Sequence, residues 1–90
     1  MANVQVTCTT RQAGTFHHEA ITHLGGAGWY LTKAQVIQSI EQQTNAYYTH
    51  VNGVSAWVGV VEGQNGKYLR TYADGKYNDN LLALPACGAR

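Results

Sequence analysis

Three glycine-ended dipeptides constrain this chain most: Asn52-Gly53, Asn65-Gly66 and Asp74-Gly75 follow one another through its later half. A two-residue type I′ turn needs positive φ at both central positions, which Asn, Asp and Gly tolerate best, and its twist matches that of antiparallel strands. The segments around the first two turns, AYYTHV, VSAWVGVVE and KYLRTY, are rich in β-branched and aromatic residues. Together these features predict a three-stranded antiparallel meander, with Asp74-Gly75 as a third tight turn before KYND.

Side-chain alternation then sorts the meander into two faces. A two-residue turn at Asn52-Gly53 pairs Val51 with Val54 and Tyr48 with Trp57, and the turn near Asn65-Gly66 leaves Val60 and Leu69 on one side. One face therefore carries Tyr47, Thr49, Val51, Val54, Ala56, Val58, Val60, Leu69 and Thr71, and this is the face a helix would cover. The other carries Tyr48, His50, Trp57, Gly59, Val61, Tyr68, Arg70 and Tyr72.

The helix is announced by LTKAQVIQSIEQQ. Thr32 followed by Gln35 forms a capping box, Leu31 before the cap can staple to Val36, and Val36, Ile37 and Ile40 make one narrow apolar stripe. The expected span is about 33 to 43. Upstream, Val4, Val6 and Cys8 alternate with polar neighbours, predicting a strand over about 3 to 10. RQAGTFHHE reads as a turn-rich connection, and AITHL, Ala20 to Leu24, as a short strand returning antiparallel to the first. GGAG, Gly25 to Gly28, reads as a break in regular structure and as a hinge that lets Trp29 turn inward. The predicted architecture is a single α+β domain over 1–90, with order β-β-α-β-β-β: an antiparallel sheet of about five strands and one helix on one face.

A chain of 90 residues is short enough that every apolar segment must contribute to its core. This bears on the ending DNLLALPAC, which places Leu81, Leu82 and Leu84 with the only proline and the second of two cysteines close to the end. Burying each leucine fully contributes roughly 1.5–3 kcal/mol, so the segment reads as a latch that closes the domain. Asp79 before it reads as a cap for a short helical turn, and Asp74 as the first corner of its own turn.

The net charge of +1 lacks the basic field of a duplex-DNA binder. No stretch approaches eighteen apolar residues, and MANVQVTCTTRQ lacks the pattern of a secretory signal, so the expected setting is the cytoplasm, with no membrane partner. There Cys8 and Cys87 are expected as buried thiols, ahead of a disulfide or metal pair. A Cys8, His23, Cys87 set has neither zinc-ligand spacing nor the positive surroundings that activate a thiol. His17-His18 reads as a solvated pair, and GGAG lacks the flanking residues of a phosphate-binding loop. No catalytic residue, metal or cofactor is assigned, and the protein is not expected to be an enzyme.

With these elements in place, KYLRTYADGKYNDNLLALPAC, ITHLGGAGWYLTKAQVIQSIE and VTCTT resemble a bacterial family of small proteins known as domain of unknown function 3892. The most specific pieces are Lys67 to Thr71 with Asp74, then Asp79 to Leu82 with Leu84, Pro85 and Cys87; Ile21 to His23, Gly25-Gly26, Trp29 and Thr32 also match. The family pattern often has a histidine where Ala20 stands and an acid where Ala86 stands. The resemblance implies a shared fold and core and carries no activity.

What remains is the aromatic face, and Tyr48, His50, Trp57, Tyr68, Arg70 and Tyr72 are the candidate binding residues. Tyrosines on the wet side of a small sheet also serve structure, through cross-strand pairing. As a binding surface the face suits protein contact ahead of single-stranded nucleic acid, since few cations stand ready for phosphates. The expected function is a non-enzymatic interaction module, such as an inhibitor or accessory factor of bacterial or phage origin. A single-strand nucleic-acid binder is the alternative, and a small metal-dependent or cysteine enzyme comes last.

Overall fold

The computed structural model describes residues 2–12, 18–64 and 66–87. Its elements in chain order are β1 (Ala2–Gln5), β2 (Cys8–Arg11), a 3-10 turn (His18–Ala20), β3 (Ile21–Gly26), β4 (Trp29–Thr32), α1 (Lys33–Glu41), β5 (Asn45–Val51), β6 (Val54–Gly63), β7 (Gly66–Ala73), β8 (Lys76–Asn78) and α2 (Asn80–Ala83). They form two sheets rather than the single sheet expected: five strands in the order β1-β5-β6-β7-β8, and three in the order β2-β3-β4. The larger sheet is mixed, because β1 runs parallel to β5.

The predicted first strand divides between the sheets. Val6 N–H donates to the Tyr48 carbonyl at 2.8 Å and Thr7 N–H to the Gly25 carbonyl at 2.9 Å, so the chain changes partner between these two residues. Alternation of period two runs unbroken through such a handover, which is why the pattern shows one strand. The return of β3 antiparallel to β2 is as expected, with Thr9 opposite Leu24.

GGAG is not a break. Gly25 and Gly26 complete β3, and a hairpin through Ala27 and Gly28 leads into β4, pairing Gly26 with Trp29 and Gly25 with Tyr30. Only Gly28 needs its conformational freedom, at φ +79°. At Gly25 and Gly26 the missing side chain provides room. A Cβ on Gly25 would stand 2.8 Å from Cys8 Sγ, and one on Gly26 would collide with the Trp29 indole.

α1 starts as its sequence requires. Gln35 N–H donates to Thr32 Oγ1 at 3.1 Å, and Thr32 N–H donates to Gln35 Oε1 at 2.9 Å, which completes the capping box. It stops two residues early. Thr44 N–H reaches the Ser39 carbonyl and Gln43 N–H the Ile40 carbonyl, a Schellman ending with Gln43 at φ +59°. Glycine or asparagine usually marks that position, so glutamine hides the stop.

The meander follows its turns. Val51 faces Val54 and Tyr48 faces Trp57 across a turn with Asn52 at φ +51° and Gly53 at φ +79°. Asp74 and Gly75 adopt the same pair of positive φ values, at +54° and +76°. The middle turn is displaced by one residue: Gly63 pairs with Gly66, ahead of the expected position, and Asn65 lies outside the described residues.

The core gathers Val6, Ile21, Leu24, Val36, Ile37, Tyr47, Val58, Leu69, Leu81 and Leu84, with Leu82 partly buried against it. The ending is the latch expected, and it is fastened more firmly than thiol packing would do. Thr9 N–H donates to the Pro85 carbonyl and Cys87 N–H to the Thr9 carbonyl, each at 3.1 Å, so the tail runs parallel along the free edge of β2. Cys8 and Cys87 are joined by a disulfide, their Cα atoms 4.8 Å apart. The expectation of two free thiols is thus overturned. Backbone pairing of Thr9 with the tail brings its two neighbours together, a juxtaposition that the 79-residue separation conceals.

Candidate functional site

The outer face of the five-stranded sheet is where the candidate binding residues meet. Register aligns Tyr48 on β5 with Trp57 on β6, Trp57 with Tyr72 on β7, and Tyr72 with Tyr77 on β8. Four aromatic side chains therefore stand in one row perpendicular to the strands. Three of them remain wet, Trp57 at 42% exposed, Tyr72 at 40% and Tyr77 at 58%, while Tyr48 is half-buried.

Local packing fixes the row. The Tyr48 and Trp57 rings meet edge-on with centroids 6.1 Å apart, a geometry that the ring quadrupoles favour. Tyr72 leans over Gly59, where a Cβ would lie 2.9 Å from its ring, and Tyr68 leans over Gly63 in the same way at 2.8 Å. Each of these β6 glycines thus leaves a gap that a tyrosine from β7 fills. The Arg70 guanidinium sits 4.9 Å from the centre of the Tyr77 ring, a cation–π contact, and its Nη2 lies 3.6 Å from Asp79 Oδ1.

The sequence-predicted residues divide accordingly. Tyr48, Trp57 and Tyr72 belong to the row. Tyr68 stands beside Val61, off the row, and Arg70 is already engaged by Tyr77 and Asp79. His50 points to solvent at the hairpin end, its Nδ1 2.9 Å from Ser55 Oγ. Tyr77 is the residue that sequence reading missed. Its signal was available, since an Asp74-Gly75 turn sets Tyr77 opposite Tyr72.

Two shallow hollows accompany the row. The first, of about 310 Å³, is lined by Asn3, Tyr48, Ser55, Ala56 and Trp57. The second, of the same volume, is lined by Tyr72, Gly75, Lys76 and Tyr77. Each is framed by a neighbouring pair of rings from the row. Apolar walls with a few hydrogen-bonding groups suit recognition of a mostly apolar group.

The other candidates resolve differently. The disulfide removes the thiols that a cysteine nucleophile or a Cys8, His23, Cys87 metal set would require. His23 is stacked on Tyr30, ring centroids 4.9 Å apart and 3° from parallel, and its Nδ1 meets Thr22 Oγ1. His17 lies outside the described residues; His18 Nε2 lies 3.8 Å from Asp79 Oδ1. Asp79 does not cap α2 with its side chain. Asn78 serves there instead, its Oδ1 accepting from Asn80 N–H at 3.1 Å and from the Thr71 hydroxyl at 2.6 Å. Among the described residues no helix is long and apolar enough to cross a membrane.

A family model described as a protein of unknown function, DUF3892, matches residues 5–85. No curated protein and no solved structure matches the chain.

Proposed function

Since the chain belongs to the DUF3892 family, whose description assigns no function, we propose from its own surface that it is a non-enzymatic interaction module that binds another protein through the outer sheet face. The observation that carries this reading is the four-ring row, Tyr48, Trp57, Tyr72 and Tyr77, in register across four strands, with Trp57, Tyr72 and Tyr77 exposed and Tyr48 half-buried beside Trp57. Tyrosine and tryptophan dominate interface hot spots, because they bury large areas while freezing few rotamers.

Charge favours a protein over a nucleic acid. Phosphate binding draws on Lys and Arg whose counterions are released, whereas Arg70 is turned onto Asp79 and Lys67 onto Glu41 at 2.6 Å. The disulfide bears on location. A cytoplasmic setting implies reduced cysteines, and a Cys8–Cys87 bond speaks against it, because disulfides persist where the surroundings oxidise.

A tagged wild-type chain exposed to host lysate, in parallel with and without nuclease treatment, tests the reading. Recovery of the same protein in both arms, in stoichiometric amount, is expected. Loss of all captured material after nuclease treatment, together with direct binding of oligo-dT that weakens steeply with salt, would replace protein contact by nucleic-acid binding.

A further inference from the structure

We propose that residues 85–87 form a redox-released strap: reduction of the Cys8–Cys87 bond by a dithiol frees them from β2 while the rest of the latch stays in place. The device belongs to the smaller sheet and does not depend on what the aromatic row binds. Two sets of contacts hold the ending, and they divide after Leu84. Up to that residue the chain is anchored in the body of the domain. Leu81 and Leu84 are buried, Leu81 N–H donates to Thr71 Oγ1 at 3.3 Å, the Asn80 side-chain amide to the Val54 carbonyl at 3.0 Å, and Arg11 to the Leu82 carbonyl at 3.2 Å. Beyond it Pro85 and Ala86 are exposed, and the segment meets β2 through two backbone hydrogen bonds with Thr9 and through the disulfide.

The covalent bond decides where the strap lies. A hydrogen bond contributes little once the water it displaces is counted, whereas holding a segment in one conformation gives up backbone freedom at every residue. Two such bonds against three ordered residues favour the open form when the disulfide is cut. With the disulfide intact, Cys87 is tethered beside Cys8 and the pairing with Thr9 follows at little further cost. Opening leaves α2 undisturbed. Leu84 is already extended, at φ −72° and ψ 147°, as a residue ahead of proline must be, so the chain departs from the helix before the strap begins.

Access selects the sulfur that is attacked. Cys8 is only 6% exposed, whereas Cys87 is half-buried, and accessible disulfides are the labile ones. One thiolate of the dithiol attacks Cys87 Sγ, forms a mixed disulfide and expels the Cys8 sulfur as a thiolate, which takes up a proton. The second thiol of the same reductant loses its proton, attacks its own mixed-disulfide sulfur and expels the Cys87 thiolate, which is protonated in turn. Two electrons and two protons have then passed to the protein, and the dithiol has become a disulfide. The released strap uncovers the Thr9 N–H and carbonyl on the edge of β2, and an unpaired strand edge is a template for another extended segment.

The test is amide-resolved NMR relaxation of the whole chain before and after dithiothreitol. On reduction the order parameters of Ala86 and Cys87 are expected to fall from about 0.85, the value of a rigid backbone, to below about 0.6. The Thr9 amide resonance is expected to move, the Leu81 amide to keep its native position, and reoxidation to restore the first spectrum. The reduction rate is expected to be first order in dithiothreitol and unchanged by urea below the unfolding transition, since the bond is reached in the folded state. Cys8→Ser/Cys87→Ser should show the mobile strap with or without reductant; should that variant fail to fold, the wild-type comparison decides. Three results overturn the proposal: Ala86 and Cys87 still ordered after reduction, loss of the Leu81 and core resonances together with the strap, or a reduction rate that climbs with urea because only unfolding exposes the bond.

Discussion

The two faces of the five-stranded sheet come from the same residues in alternation, yet they have opposite fates. On the inner face Tyr47, Thr49, Ala56, Val58, Leu69 and Thr71 are buried, beneath a core to which α1, the smaller sheet and the latch contribute, while Val54, expected on this covered face, lies at the hairpin end beyond the cover and is 48% exposed. On the outer face Trp57, Tyr72 and Tyr77 stay exposed. Both faces are rich in large side chains, so hydrophobicity alone does not distinguish them. What distinguishes them is what the rest of the chain supplies as a cover. The outer rings are ordered by their neighbours instead, by Gly59 and Gly63 beneath tyrosines and by Arg70 over Tyr77. The inner face is organised to fold, and the outer one is organised to remain presentable.

The largest effect that would break this comparison is loss of the latch. Removing residues 79–90 takes away Leu81 and Leu84, each worth roughly 1.5–3 kcal/mol when buried, and the disulfide with them. A domain of this size has a total margin of only about 5–15 kcal/mol. The truncated chain is expected to show no cooperative melting transition, checked by circular dichroism; a wild-type melt would mean that the inner face needs no cover.

Next in size is the disulfide alone. Closing a loop of 79 residues constrains the unfolded chain by about 4–5 kcal/mol in the chain-entropy model. The Cys8→Ser/Cys87→Ser double variant is expected to fold with a midpoint lowered accordingly in urea. Gel-shift counting of thiols in unfolded wild-type protein, before reductant, is expected to find none.

A smaller loss is expected from Thr32→Ala, about 1 kcal/mol, because it removes the side chain that accepts from Gln35 N–H at the start of α1. Equilibrium unfolding measures it directly. The least effect concerns Lys67, whose amine donates to Glu41 at 2.6 Å; that hydrogen bond and the attraction beside it hold its pKa above the ordinary 10.5. Because the folded value is the higher one, the pair's contribution is present in full below the unfolded pKa and fades as pH rises through the folded pKa. Wild type and Lys67→Met should therefore differ slightly in melting temperature near neutrality and converge in the alkaline range.

How much of this was legible depends on where each signal resides. Asn52-Gly53 and Asp74-Gly75 carry their turn geometry in the residues themselves, and Thr32 with Gln35 carries its cap, so hairpins and helix start could be read directly. The inner and outer faces followed from them. Features set by distant partners were hidden. The handover at Val6-Thr7 depends on Tyr48 and Gly25, and the disulfide on a tail that pairs with Thr9. Gly25 and Gly26 looked like a break because glycine also serves where a neighbour needs the space, here a disulfide and an indole. At the site, Tyr48, Trp57 and Tyr72 were found by alternation, while Tyr77 sits on a three-residue strand too short to show a period and is legible only by counting across the Asp74-Gly75 turn to Tyr72.

The division of labour between the two faces is tested most directly by the Trp57→Ala/Tyr77→Ala double variant, in which one ring from each hollow is removed. The quantity to measure is capture of the protein partner from nuclease-treated lysate, relative to wild type, by protein whose spectrum remains native. If the outer face is the binding surface, capture is expected to fall by at least tenfold, since hot-spot residues cost about 2 kcal/mol or more on truncation. Undiminished capture by the folded double variant would contradict the account and leave the aromatic row as a device of stability alone.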